Sequence, residues 1–174
     1  MKKIAASLLL VIIASSSFGA YKAMHKRKKK QVKKTTATAV PETKIKSVLM
    51  GRAACFGQCP AYSYEIFANG LLRYTGKSFV PNEGVYEKNI GAENALRFIK
   101  EFDTIRPDTL SYLYPSRIAD LPGIYYFISY QDSVKKVLNA EEGPRILKDW
   151  AKKFDEFGQI DGTWTKQKTT NNTK

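Results

Sequence analysis

Histidine is nearly absent from this chain of 174 residues: the single one, His25, lies in a run of basic residues. This position excludes Ser-His-Asp catalysis, Cys-His catalysis and histidine-bound zinc from the rest of the chain. A phosphate-binding glycine loop is also missing, because the glycines are spaced singly, like turns between strands. No spacing marks a lysine or a carboxylate as a base. Asp103, Asp108 and Asp120 are interpreted as residues of helix ends and turns.

Acidic residues are nearly absent from the first 46 positions. Twelve Lys or Arg residues stand there against Glu42 alone, so this segment carries +11 of the formal charge of +13 and leaves +2 for residues 47–174. A domain so close to neutral lacks the broad basic surface that binding to a phosphate backbone requires. We therefore expect no nucleic-acid partner.

A long hydrophobic run is missing as well. The apolar stretch from Ile4 to Ala14 has 11 residues, fewer than the roughly 20 of a membrane-spanning helix. It follows two lysines and precedes small residues, which is the layout of a secretory signal. Residues 1–20 are therefore predicted to be a signal peptide or an uncleaved signal-anchor. The protein is expected to be exported: periplasmic, extracellular or anchored in a membrane by its N-terminus.

A basic, Thr-rich linker is predicted at residues 21–45. Eight Lys or Arg residues between positions 22 and 34 argue against export, since such charge tends to remain on the cytoplasmic side. Clustered lysines near a membrane contribute about 1 kcal/mol each to binding. The linker is thus predicted to contact an anionic membrane surface, and a solvated spacer is the alternative.

The remaining sequence predicts one domain over residues 46–164 and a disordered tail at 165–174. Asn69-Gly70 separates two runs rich in apolar and aromatic residues, which predicts a hairpin with a type I′ turn. The other strands are expected at residues 48–50, 77–80, 85–90, 124–130 and 134–138.

Two amphipathic helices interrupt these strands. The first follows Gly91 and ends by Pro107, with a predicted buried face of Ala92, Ala95, Leu96, Ile99 and Phe102. The second runs from Pro144 to about residue 157, with a predicted buried face of Ile146, Leu147, Trp150, Ala151 and Phe154. Hairpins combined with two such helices predict an α+β fold, in which an antiparallel sheet carries both helices on one face.

The only two cysteines lie four residues apart in Cys55-Phe56-Gly57-Gln58-Cys59-Pro60. A turn through glycine brings such a pair to disulfide distance, and oxidation is the expected fate in an exported chain. We favour a structural disulfide between Cys55 and Cys59. Closing so small a ring contributes roughly 2 kcal/mol.

Two functional alternatives concern the same cysteine pair. Cys-x-x-x-Cys-Pro resembles the copper-binding motif of the Sco copper chaperones, in which two thiolates suit Cu(I). That family also needs a distant His and a helix after the motif, whereas this domain has no His and the motif leads into a predicted strand. The other alternative is a thiol-disulfide redox pair, although thioredoxin-type motifs have one residue fewer between the cysteines. Apart from Cu(I) at Cys55 and Cys59, no metal or cofactor is expected.

The cysteine motif also carries a family resemblance. The string Cys55-Phe56-Gly57-x-Cys59-Pro60-x-Tyr62 is followed by Ile66, Gly70, Tyr74 and Gly76, and Asp120-x-Pro122 and Ile160-Asp161 come later. Over about residues 46–164 this pattern resembles the domain of unknown function 6438. The resemblance implies a single domain in an exported bacterial cell-envelope protein. It implies no substrate and no catalytic residues.

Tyrosines on the predicted strands supply the candidate binding surface, because exposed aromatic residues on a sheet face favour recognition. The candidate binding residues are Tyr62, Tyr64, Tyr74 and Tyr126, with Tyr125 and Tyr130 as further members. Packing in the core is the alternative for each of them. We predict a non-enzymatic envelope module that binds a protein, peptide or polymer. The alternative is a thiol-redox or Cu(I)-binding protein that uses the cysteine pair.

Overall fold

The computed structural model describes residues 43–116 and 122–168. The predicted leader, most of the predicted linker and the end of the predicted tail lie outside these ranges. Within them the chain forms a seven-stranded sheet and two α-helices, so the predicted α+β class is confirmed. Ile45 is 1% exposed in the core. The predicted linker is therefore too long at this end, because Ile45 belongs to the domain.

The sheet is built from strands that each pair with their neighbours in antiparallel orientation. The strands are β1 (Ser47–Arg52), β2 (Ala61–Phe67), β3 (Leu71–Ser78), β4 (Gly84–Asn89), β5 (Ile124–Ser129), β6 (Val134–Val137) and β7 (Thr165–Lys166). Their order across the sheet is β6-β5-β1-β2-β3-β4-β7. The first strand in the chain therefore lies inside the sheet, with six residue pairs to β2 on one side and six to β5 on the other.

The predicted hairpin between β2 and β3 is present, but its turn type differs from the prediction. Gly70 has φ +97°, whereas Asn69 is not among the described residues with positive φ. The amide of Gly70 donates to the carbonyl of Phe67 at 3.0 Å, and Asn69 Oδ1 accepts from the amide of Leu71 at 3.1 Å. This is a three-residue loop in which glycine follows the turn, an arrangement that needs only one residue with positive φ.

The strand predicted at residues 77–80 does not exist as a separate element. β3 continues through Gly76 to Ser78, and residues 79–83 form the loop to β4. Gly76 is needed because the carbonyl of Asn82 occupies the place where a Cβ atom would lie. This glycine therefore permits close approach of the loop, whereas the sequence pattern had suggested a turn.

The helices are α1 (Ala92–Asp103) and α2 (Arg145–Phe157), close to the predicted positions. In α1 the prediction of Ala92 and Leu96 as buried is wrong, since Ala92 is exposed, Leu96 half-buried, and Phe98 takes a core position instead. In α2 Ile146 is 42% exposed, while the other four predicted residues are buried. Neither helix of the described ranges is long and apolar enough to span a membrane.

Both helices pack on the same face of the sheet, as predicted. α1 contacts β2 and β3, and α2 contacts β1. Between the layers lies an aromatic cluster that joins the helices to each other and to the sheet: Phe98, Phe102, Tyr126, Trp150 and Phe154. The core therefore consists of the buried faces of the two helices and the alternate strand residues that face them.

The tail prediction is wrong at its first positions. Thr165 and Lys166 form β7 and pair with Glu87 and Tyr86 of β4. Trp164, just before them, is 9% exposed in the core. Two polar residues give no strand pattern of their own, and the neighbouring strand supplies the hydrogen bonds that order them.

Candidate functional site

A cleft with a volume of about 410 Å³ opens where β2 begins and β3 ends. Four aromatic side chains line it: Tyr62, Tyr64, Tyr74 and Phe79. Smaller apolar residues and two amides complete the lining: Pro60, Val80, Pro81, Ile160, Asn82 and Gln159. We call this site the tyrosine cleft. It unites three of the four predicted binding residues.

The three tyrosines meet because their strand positions all face the helices. Tyr64 of β2 pairs directly with Tyr74 of β3, and their ring centroids are 5.0 Å apart. The ring of Tyr62 lies 5.6 Å from that of Tyr64 and 6.0 Å from that of Tyr74. At Gly158, just past α2, any side chain would collide with the Tyr64 ring, so glycine lets the helix end pack against this cluster.

Tyr64 and Tyr74 bury their rings and expose their hydroxyls. The two residues are only 7% and 4% exposed, and neither hydroxyl makes a hydrogen bond to another described residue. Among the described residues no buried side-chain oxygen or nitrogen lacks a partner. Both hydroxyls must therefore be reached by solvent, and they add polar groups to a cleft that is lined by both aromatic and polar residues.

Tyr62 is held in place by a closed hydrogen-bonded network. Its hydroxyl donates to Asp155 Oδ1 at 2.7 Å and accepts from Arg52 Nε at 2.8 Å, while a terminal guanidinium nitrogen of Arg52 donates to Asp155 Oδ2 at 2.6 Å. Burial and the hydrogen bond to Asp155 raise the pKa of Tyr62 to about 12. Burial lowers the pKa of Arg52, but Asp155 and Tyr62 together outweigh that effect and leave the pKa raised. The network joins β1, β2 and α2 at the edge of the cleft.

Replacing Asp155 by asparagine is expected to lower the free energy of unfolding by about 1.5–3 kcal/mol, because two charge-assisted hydrogen bonds lose their anionic acceptor. Urea unfolding measures this loss. The matched control on the same helix is Asp149→Asn, whose ion pair with Arg145 is 3.8 Å long and joins side chains that are 57% and 89% exposed. The free energy of unfolding of that control should fall by less than about 0.5 kcal/mol. Equal losses in the two variants would contradict the network.

Phe79 projects from the β3–β4 loop into the lining of the cleft. Its φ is +54°, in the left-handed region that residues with a Cβ rarely adopt, and its side chain is 53% exposed. A bulky residue in this conformation is a genuine outlier, and such outliers concentrate at functional sites. Phe79 is therefore a candidate ligand contact that the sequence pattern did not reveal.

The cysteine loop lies directly before the cleft. Cys55 and Cys59 are joined through their Sγ atoms, with Cα atoms 5.6 Å apart, and Pro60 of the cleft follows immediately. The loop presents Phe56 with 92% of its surface exposed. In the part of the chain that the structure describes, no group of three or more His, Cys, Asp or Glu residues could hold a metal ion.

Tyr126 does not belong to the cleft, and its prediction as a binding residue is wrong. It is 0% exposed, and its hydroxyl donates to the carbonyl of Leu147 at 2.6 Å. The alternation of β5 turns Tyr126 towards the helices, so it packs in the core. Tyr125, its neighbour, lies on the opposite face of the sheet, over Gly51.

A family model, the domain of unknown function 6438, matches residues 46–158. A search of the curated proteins finds no match. The matched segment contains β1 to β6, both helices, the two cysteines and the three tyrosines of the cleft. Because it covers more than half of the sequence, the chain belongs to the family of the domain of unknown function 6438.

Proposed function

We propose that this chain is an exported, non-catalytic domain that binds a ligand in the tyrosine cleft. One observation carries the proposal: Tyr64 and Tyr74 present to an open cleft hydroxyls that have no hydrogen-bond partner among the described residues. Water satisfies these groups in the free protein, and exchanging it for polar groups of a ligand costs little. A concave site in which a few polar groups converge beside aromatic side chains is typical of ligand sites.

The protonation of these tyrosines supports binding over catalysis. A general base works best when its pKa is near the ambient pH. The pKa of Tyr62 is raised to about 12 by burial and by Asp155, and burial raises the pKa of Tyr64 and of Tyr74. All three hydroxyls therefore stay protonated at neutral pH, where they act as hydrogen-bonding groups.

The test is an NMR titration of the isotope-labelled full-length chain with uncharged probes, namely capped neutral peptides and soluble neutral oligosaccharides. We expect at least one probe to shift the amide signals of the residues that line the cleft. Tyr74→Phe should weaken that effect, because it removes one hydroxyl and keeps the ring. Tyr112→Phe, at a 59% exposed position outside the lining, is the matched control. The proposal fails if no probe shifts the cleft, or if Tyr74→Phe responds like the unchanged chain.

The export component rests on the leader pattern at residues 1–20, and we propose that the basic linker contacts an anionic membrane surface. Intact mass of the protein from its native envelope fraction, with and without thiol alkylation, tests export. We expect a species that lacks the leader and takes up alkylating groups only after reduction. A full-length species with two free thiols would contradict both export and the disulfide.

The cysteine pair supports a second candidate function, thiol-redox or Cu(I) chemistry, because its loop stands out into solvent beside the 92% exposed Phe56. If the bridge is purely structural, we expect Cys55→Ser combined with Cys59→Ser to lower the free energy of unfolding by about 2 kcal/mol and to remove no activity. Mild reductant should leave such a bridge intact. Ready reduction, or tight Cu(I) binding that the double variant lacks, would favour the second function.

A further inference from the structure

The charge of the lining limits the class of ligand. None of the residues that line the tyrosine cleft is acidic or basic, and the nearby Arg52 and Asp155 already pair with each other. A charged group that entered the cleft would lose hydration without finding a counter-ion. The part of the ligand that fills the cleft is therefore uncharged.

The orientation of the tyrosines limits the class of ligand further. The ring of Tyr64 contacts the rings of Tyr62 and Tyr74 and packs closely against Gly158, so it offers little ring face for stacking. What Tyr64 and Tyr74 do offer is hydroxyl groups, and the amide residues Asn82 and Gln159 line the same cleft. Because hydroxyls and amides both donate and accept, the ligand should carry hydrogen-bonding groups that are not already paired within it.

Phe79 supplies the one large, freely exposed ring face. Its side chain is 53% exposed, and Val80 and Pro81 extend the apolar surface beside it. A small, rigid apolar ring fits this combination better than a flexible side chain, because it loses less conformational entropy on binding.

We propose, building on the function proposed above, that the tyrosine cleft takes a neutral, proline-containing peptide segment in the polyproline II conformation. Such a segment has no internal hydrogen bonds, so its carbonyls are free to accept from Tyr64, Tyr74 and the two amides. Its pyrrolidine rings pack on Phe79. Docking of a preformed polyproline II helix into an aromatic-lined groove is a recurring way to recognise extended peptides.

Calorimetric titration of the full-length chain with three probes tests this proposal. They are a short capped peptide of alternating alanine and proline, the same peptide with glycine in place of each proline, and chitotetraose. Phe79→Gly is the decisive variant, because it removes the ring and places at φ +54° the residue that adopts this conformation freely. Its thermal midpoint should match or exceed that of the unchanged chain. A loss of binding then cannot come from unfolding.

We expect the proline peptide to bind about tenfold more tightly than the glycine peptide, and Phe79→Gly to weaken it about tenfold. Equal binding of both peptides overturns the proposal, as does binding unaffected by Phe79→Gly. If chitotetraose binds and Phe79→Gly weakens it, while the proline peptide does not bind, the peptide assignment is wrong but the cleft remains a binding site. If no probe binds, the peptide assignment is wrong and the proposed function loses its support as well.

Discussion

Replacing Phe102 by alanine is expected to lower the free energy of unfolding by about 3–5 kcal/mol, the cost of deleting a buried aromatic side chain. Phe102 is 0% exposed, and its ring centroid lies 5.8 Å from that of Tyr126 and 5.1 Å from that of Trp150. It therefore joins α1 to the sheet and to α2, and its loss leaves a cavity that three elements would have to close. Urea unfolding measures the effect as a shift in midpoint at constant slope.

The control is another Phe→Ala change, at Phe56, which is 92% exposed on the cysteine loop. A surface substitution of this kind should change stability by less than about 0.5 kcal/mol. A loss below about 1 kcal/mol in the Phe102 variant would mean that α1 does not pack on the sheet as described.

Raising the pH is expected to destabilise the fold steeply from about pH 10 upwards. Burial raises the pKa of six tyrosines above the usual value near 10: Tyr62, Tyr64, Tyr74, Tyr125, Tyr126 and Tyr130. A group whose pKa is raised in the folded state keeps its proton there while the unfolded chain releases it. Its stabilising contribution is complete below the unfolded pKa and is lost as the pH rises towards the folded value.

For Tyr62, with a pKa of about 12, the loss falls between about pH 10 and 12 and amounts to roughly 1–2 kcal/mol after allowance for solvent screening. Urea midpoints at about pH 8 and about pH 11 measure the total effect. Tyr62→Phe should be less stable at neutral pH, because Arg52 and Asp155 lose a partner, and it should show a shallower alkaline decline. A midpoint that does not change with pH would contradict the burial of these tyrosines.

Much of the fold was predictable because strands and helices bury residues at their own periods. The Asn69-Gly70 hairpin and both helices follow from local pattern alone. The register and length of β3 do not follow from local pattern. Gly76 makes room for a carbonyl from a loop that folds back, and nothing near Gly76 in the sequence indicates that contact. β7 was missed for a similar reason, since two polar residues become a strand only through β4.

The candidate site was predictable only in part. Strand alternation brought Tyr62, Tyr64 and Tyr74 together, but the same alternation put Tyr126 in the core, and sequence type alone could not separate the two outcomes. Arg52 and Asp155 are 103 positions apart and belong to no motif, so their network with Tyr62 required the packing of α2 on the sheet.

The position of β1 has a mechanical consequence. The chain enters the domain at the start of β1, whereas the tyrosine cleft lies at the far end of that strand, next to Arg52. Tension between an N-terminal tether and a ligand held in the cleft would thus run along β1. Both ladders, of six residue pairs each, would be strained in shear at the same time and would not open one bond after another. This geometry resists pulling better than an edge strand would, because an edge strand has only one ladder.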